Sequence, residues 1–409
     1  DGNLKQMQIS RFTVDLPGAF SMKGGGILEN LADSLTRSGT IGLDMITQNL
    51  NFLTALTGEA PNGTIVIPDS MNLKARVELK GPEYKANLHL KQGQGSMGVN
   101  AELNTSTEAY AADLKIDNLQ LHNFLPKDSI YELSLSADAK GRGLDVMSYR
   151  ALAKLNLSLD QLHYARYQLS NVHLTGALKG ALVTANLTSD NALLKMTTDA
   201  EYNLAHRYPD GKVTVDVTQL DLHELGLMPQ PMKRPLAFNL SAEARQNRVF
   251  THLTSGDMKL NLSARSGVNS LISQSTHFMD VLMKQIDEKA LNHAELREAL
   301  PTAILSFSAG KENPLAYFLA TKNISYHDVS MKFGTAPDWG INGKAAVHAL
   351  KMDTLQLDTI FFTVKQDTTL MKLRAGVING PKNPQFSFAT TLTGEIRDRD
   401  AELLVDYKN

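Results

Sequence analysis

The sequence predicts an all-β protein with helical insertions, an elongated, curled antiparallel sheet (a gutter, or β-taco) with an apolar inner groove. Three observations predict it. Apolar and polar residues alternate at a period of two along most of the chain, turn motifs fall between the alternating runs, and related segments recur. Alternation at this period sets one strand face in an apolar environment and the other in water. Strands of a parallel α/β enzyme would instead read as continuous apolar runs separated by helices.

Met71, Leu73, Ala75, Val77 and Leu79 alternate with Asn72, Lys74, Arg76, Glu78 and Lys80. The pattern returns in Leu133, Leu135, Ala137 and Ala139, in Leu155, Leu157 and Leu159, and in Val172 and Leu174. It continues through Val213, Val215 and Val217, then Phe238 and Leu240, then Leu260 and Leu262, and ends with Phe386, Phe388, Leu403 and Val405. The runs are separated by Lys80-Gly81-Pro82, Pro209-Asp210-Gly211 and Asn379-Gly380-Pro381, which read as turns. Phase slips from Ile116 to Leu119 and from Val217 to Leu220 read as bulges that bend a sheet.

Helical spacing interrupts the alternation twice. Leu28, Leu31 and Leu35, then Leu43, Ile46, Leu50 and Leu53, suggest a first helical region. Leu271, Ser275, Phe278, Met279, Leu282 and Ile286 form a longer stripe, extended by Leu296, Ala299 and Leu300. Asn292 with Glu295 reads as a capping box, Pro301 as a stop, and Asn313-Pro314 as the start of a third helix ending at Asn323. The expected organisation is a β-array beginning at 1–26, a helical insertion at 27–58 and a repetitive gutter at 59–268. A second helical insertion follows at 269–324, and the gutter resumes at 325–409. The helices are expected to pack on an end of the array or against its groove.

The chain has 409 residues, enough for several domains or one extended repeat array. Its 41 basic and 43 acidic residues nearly cancel, so no strong field draws it to nucleic acid. No stretch approaches the roughly 20 apolar residues of a membrane span, and no signal peptide is recognisable near Asp1. The sequence reads as a segment of a longer chain, with any anchor or signal upstream. It has no cysteine, which removes disulfides and thiolate chemistry.

Motifs with chemical potential fail their context tests. Gly93-Gln-Gly95-Ser-Met-Gly98 has the glycine spacing of a dinucleotide loop, but strand patterns flank it on both sides where a helix must follow. It reads as a hairpin turn. The 11 histidines are scattered, with His122 and His223 at matching repeat positions that read as bulge-side residues. No nucleophile elbow or phosphate loop is present. No enzyme activity, cofactor or metal is expected.

The alternation would also suit the dry core of a sandwich. With only 14 Phe and 1 Trp the bulk to fill a wide sheet is limited, which favours an open groove. The residues expected to line it are Leu133, Leu135, Leu155, Leu157, Leu159, Val172, Leu174, Val213, Val215, Phe238, Leu240, Leu260, Leu262, Phe386 and Phe388.

Internal similarity supports a serial array. Asp113–His122 resembles Lys212–His223, each followed by an apolar pair and a proline (Pro126 and Pro229). The run from Leu114 to Tyr131, continuing through Ser136 to Asp145, also resembles the periplasmic part of TamB-like proteins of the Bacteroidota. So does the insertion from Leu271 to Pro301 with the following Asn313–Leu319. The resemblance implies kinship with AsmA-like, bridge-forming lipid-transfer proteins, whose curled sheets have an apolar interior. It implies a periplasmic segment of an inner-membrane-anchored protein, in contact with phospholipid acyl chains. It also implies a TamA-type outer-membrane barrel as partner, reached through regions not recognisable in this chain. The family has been linked both to phospholipid passage between membranes and to insertion of outer-membrane β-barrel proteins, so a scaffold or chaperone role is the alternative expectation.

Overall fold

The computed structural model describes residues 5–50, 66, 68–228, 231 and 234–409. The chain divides into two units, residues 1–197 and 198–409. The alternating segments form strands. In the first unit these are β1 (Gln6–Leu16), β2 (Phe20–Glu29), β3 (Ser38–Thr47), β4 (Met71–Lys80), β5 (Glu83–Gln92) and β6 (Gly95–Asn104). They continue with β7 (Ala109–Gln120), β8 (Ile130–Arg142), β9 (Leu152–Tyr164), β10 (Tyr167–Leu169), β11 (Val172–Lys179) and β12 (Leu182–Asp190). The unit boundary falls within β13 (Leu194–Asn203). The second unit holds β14 (Gly211–Leu220), β15 (Leu236–Arg245), β16 (Arg248–Ser255), β17 (Met258–Ala264), β18 (Ala303–Ala309) and β19 (Ile324–Ser325). It ends with β20 (Asp328–Ala336), β21 (Gly340–Met352), β22 (Leu355–Gln366), β23 (Met371–Asn379), β24 (Phe388–Arg397) and β25 (Asp400–Lys408).

Within each unit the strands form an antiparallel meander, with tight turns between many of the neighbours. Two partners are split. β10 and β11 both lie beside β9, and β19 and β20 both lie beside β21. The Gly93-Gln94 dipeptide is the turn of the β5–β6 hairpin, so the glycine-rich motif has strands on both sides.

Two bulges fall where the sequence changes phase, and further register shifts lie between Ile9 and Phe12 of β1 and, against β9, between Ile130 and Leu133 and between Ser134 and Leu135 of β8. Ile116 opposes Leu135 and Leu119 opposes Leu133, so β7 spends one residue more than β8 over the same step. Val217 opposes Phe238 and Leu220 opposes Leu236 in the same way. The extra residue returns the apolar side chains to the same face after the slip.

The helical insertion expected at 27–58 is corrected over the described residues. Leu28 belongs to β2, Leu31 and Leu35 lie in the connection, and Leu43 and Ile46 belong to β3. Leu50 is buried beyond the strand, and Leu53 lies outside the described residues, as does Pro229 of the repeat. The second pattern in the segment decides the outcome. Ile41, Leu43, Met45 and Thr47 alternate, and they meet the matching face of β4 at Val77, Ala75 and Leu73. A helix would have left the facing edges of β2 and β4 without ladder partners.

The insertion expected at 269–324 is also more divided than the sequence suggests, because β18 runs through it. Helices α1 (Val268–Glu288) and α2 (His293–Glu298) precede that strand, and α3 (Pro314–Ala320) follows it. Asn292 Oδ1 accepts the Glu295 N–H at 3.1 Å, as the capping box requires. Its other half is diverted, for Glu295 Oε2 accepts from Gln285 Nε2 of α1 at 3.1 Å. Asn313 caps α3 by accepting the Ala316 N–H at 2.9 Å. Asp257, on the β16–β17 turn, holds Asn313 through its Nδ2 at 2.7 Å and accepts the Gly310 and Glu312 N–H groups. Burial opposes its ionisation, yet these bonds outweigh that and hold its carboxyl below the usual range.

Aromatic rings repeatedly cover glycines on the neighbouring strand. Phe12 opposes Gly24, Tyr110 opposes Gly141, Phe333 opposes Gly343 and Phe361 opposes Gly376. A Cβ added at Gly343 would lie 2.1 Å from the Phe333 ring, whereas one at Gly42 would meet nothing within 4 Å. The ring takes the space of the absent side chain and so helps to fix register. Gly343→Val is expected to cost about 1–3 kcal/mol through forced displacement of Phe333. Gly42→Ala should be neutral or stabilise by up to about 1 kcal/mol. Chemical denaturation midpoints measure both, and equal losses would remove the distinction.

Candidate functional site: the apolar sheet face

Directly opposed residues of an antiparallel ladder point to the same side, so the registers assemble the face. In the first unit one row runs Val14, Met22, Met45, Leu73, Leu90, Met97, Ile116, Leu135, Leu159, Val172. The next runs Phe12, Gly24, Leu43, Ala75, Leu88, Val99, Leu114, Ala137, Leu157, Leu174, Leu187. In the second unit the corresponding row is Val215, Leu240, Leu253, Leu260, Phe307, Met331, Ala345, Phe362, Ala375, Leu392, Val405. No charged side chain interrupts any of the three.

The sequence-predicted lining residues divide accordingly. Leu133, Leu135, Leu155, Leu157, Leu159, Val172 and Leu174 share the face of the first unit. Val213, Val215, Phe238, Leu240, Leu260 and Leu262 share that of the second. Phe388 opposes Asn379 at the start of β24, on the side of Val377 and Ala375. Phe386 is the exception. It precedes the strand, 52% exposed, with its ring 5.3 Å from that of Phe388. The turn from Gly380 to Asn383, tied to Asp358, consumes the residues that a longer strand would need.

These faces are half-buried rather than sealed. Leu157, Leu174 and Leu240 are of intermediate exposure, and Leu155, Phe362 and Leu392 are 36–40% exposed. The total accessible surface is 25146 Å², against about 18,900 Å² for two separate compact proteins sharing its 44.8 kDa mass. A sandwich core would have brought these side chains close to full burial.

Each face has a covered end. In the first unit Met71, Leu90, Ile116 and Leu119 are buried, and Leu121 and Phe124 of the turn after β7 pack on them. In the second, Val281 of α1 and Leu296 and Ala299 of the α2 segment form a buried cluster with Phe278, Leu282, Leu291, Ile341 and Met371. Ile341 and Met371 begin β21 and β23 on the apolar side, so the helices close that end of the face.

The opposite face is polar and self-paired. Lys85 reaches Glu102 at 2.8 Å, Asn87 reaches Asn100 at 2.7 Å, and Asn156 Nδ2 reaches Asp138 at 2.9 Å. Two hollows on it were not foreseen from sequence. One of about 1170 Å³ lies over β1–β4, beside Arg11, Lys23, Gly42 and Arg76. One of about 480 Å³ lies over β6–β11, beside Gly98, Asp113, Asp138 and His173. Gly42 and Gly98 point into open space there, so missing side chains make part of the room. Glycine within an alternating run was the available signal.

Charged clusters lie at turns. Asp210 takes Arg245 Nη1 at 2.9 Å and His206 Nδ1 at 2.6 Å; burial opposes its ionisation, but these partners outweigh it and hold the carboxyl low. His122 and His223 sit on turns after the two bulges, His122 beside the Tyr131 ring at 5.1 Å. Among the described residues no three His, Asp or Glu side chains gather as a metal site. No helix there is long and apolar enough to cross a membrane. No known protein family, curated protein or solved structure matches the chain.

A half-open apolar face should bind environment-sensitive apolar dyes in the native state. Leu157→Asp and Leu240→Asp are expected to reduce native-state dye fluorescence at least twofold while keeping the β-sheet circular dichroism. The stability cost should be about 1–3 kcal/mol. Unchanged dye binding in both variants would contradict an accessible face.

Proposed function

We propose that this chain is a periplasmic segment of a TamB-like envelope protein, and that its apolar sheet face is a conduit for phospholipid acyl chains. The observation that carries the reading is the uninterrupted apolar rows across successive strands in each unit, left half-exposed away from the covered ends. Acyl chains gain from burial on any continuous aliphatic surface, at about 0.8 kcal/mol per methylene, without a shaped pocket. Sliding along such a surface needs the rows to be unbroken by charge. It needs no catalytic group, and the proposal includes none. The covered ends would act as stops that keep chains from leaving sideways onto turns.

The test is lipid extraction and native mass spectrometry of protein purified without detergent, combined with photocrosslinkers at Leu157 and Leu240. Acyl-chain adducts at both positions, and loss of bound lipid in Leu157→Asp, are expected. Absence of lipid and of crosslinks would overturn the conduit.

A further inference from the structure

The α1–α2 cap rests on a buried histidine whose contact with Gln366 suits only the neutral ring. His293 opens α2 and is 6% exposed. Its Nδ1 faces the Gln366 amide nitrogen at 3.4 Å, and Gln366 is itself 2% exposed at the end of β22. The orientation of that amide is fixed from its other side, because Gln366 Oε1 accepts the Ile341 N–H at 3.1 Å. Gln366 therefore presents a donor to His293, and Nδ1 must be an acceptor. A protonated imidazole has donors at both nitrogens and no acceptor. It would set N–H against N–H at this contact.

We propose that protonation of His293 releases the α1–α2 cap from the end of the second unit's sheet. The charged groups that act on the ring are few. Arg297 of the same helix disfavours the cation, Asp398 of the β24–β25 turn favours it, and the Ile396 carbonyl of β24 also favours it. From α1 the neutral Gln285 enters the same junction, bonding Asn292 and Glu295. Burial is the largest influence and prevails, holding the imidazole below its ordinary value.

The sign follows from linkage. The ring has its ordinary pKa, about 6.5, when the cap is undocked and a lower one when docked. Docking is therefore strongest above about pH 6.5 and weakens as pH falls toward the docked-state value. Over that interval the undocking equilibrium constant rises up to about tenfold per pH unit. The cap is also tied to the turns of the sheet. Arg297 donates to the Pro337 carbonyl at 3.1 Å and to the Asp338 carbonyl, and the Leu291 N–H reaches the Asp398 carbonyl at 2.7 Å. The inference concerns docking alone and holds whatever the apolar face carries.

The molecule contains its own reporter. Trp339 is the only tryptophan and lies between Asp338 and Gly340, in the turn that Arg297 grips. On acidification from pH 7.5 to 5.0 the wild-type chain should show a Trp339 emission change with a midpoint below 6.5, and amide protection should fall in 268–298 before it falls in β20–β24. His293→Gln and His293→Leu should both lose that transition. A wild-type chain without it, or a variant that keeps it at the same midpoint, would overturn the proposal. If both variants fail to dock at neutral pH, hydrogen exchange on the wild-type chain decides. Selective loss over 268–298 supports the latch, and loss shared with the strands, or no loss, overturns it.

Discussion

The structure depends on keeping the register of an antiparallel ladder constant from hairpin to hairpin. A strand has a side-chain period of two, so a single uncorrected slip would send every leucine of that strand into water and every lysine onto the apolar face. The chain slips more than once, and each slip is absorbed. On β7 and β14 an extra residue bulges out, and the apolar row resumes on the correct side at Leu119 and Leu220. The Leu119–Leu133 pair therefore stays on the same side as the Ile116–Leu135 pair before it.

This constraint explains the energetics of the faces. Each strand buries its apolar side chains only against its two neighbours, so burial is partial everywhere and nearly complete only where a turn or helix covers an end. Stability is then distributed over many nearest-neighbour pairings rather than held in one core. The aromatic-over-glycine pairs have their place in this scheme. Phe333 on Gly343 and Phe361 on Gly376 give the ladder points where only one register fits. The covered ends serve the apolar faces, and the cap of the second unit adds a polar lock built on Gln366 and His293.

Much of this was legible because alternation is a local property. The strands around Leu133–Ala139, Leu155–Leu159 and Val213–Val217, the bulges after Ile116 and Val217, the Gly93–Gly98 hairpin and the Asn292 and Asn313 caps could be read from neighbouring residues alone. The lining residues were legible for the same reason, since parity within a strand fixes which side chains share a face. The error at 27–58 has the complementary cause. Leu43, Ile46 and Leu50 fit a helix, and Ile41, Leu43 and Met45 fit a strand. Local spacing leaves the two equal, and the open ladders of β2 and β4 select the strand.

By itself, then, the sequence determined that the chain is built from amphipathic strands, which residues lie on their apolar sides, and two of the places where the phase is corrected. These follow from the two-residue period and the backbone preferences of glycine, proline and asparagine, which act over a few residues. Tertiary structure alone decided that Phe386 falls outside β24, that β18 divides the helical insertion, and that the helices cover one end of the face at Ile341 and Met371. It alone fixed the orientation of the Gln366 amide and the burial of His293, which lie 73 positions apart in the chain. Such contacts depend on where distant segments meet, and no short-range pattern records that.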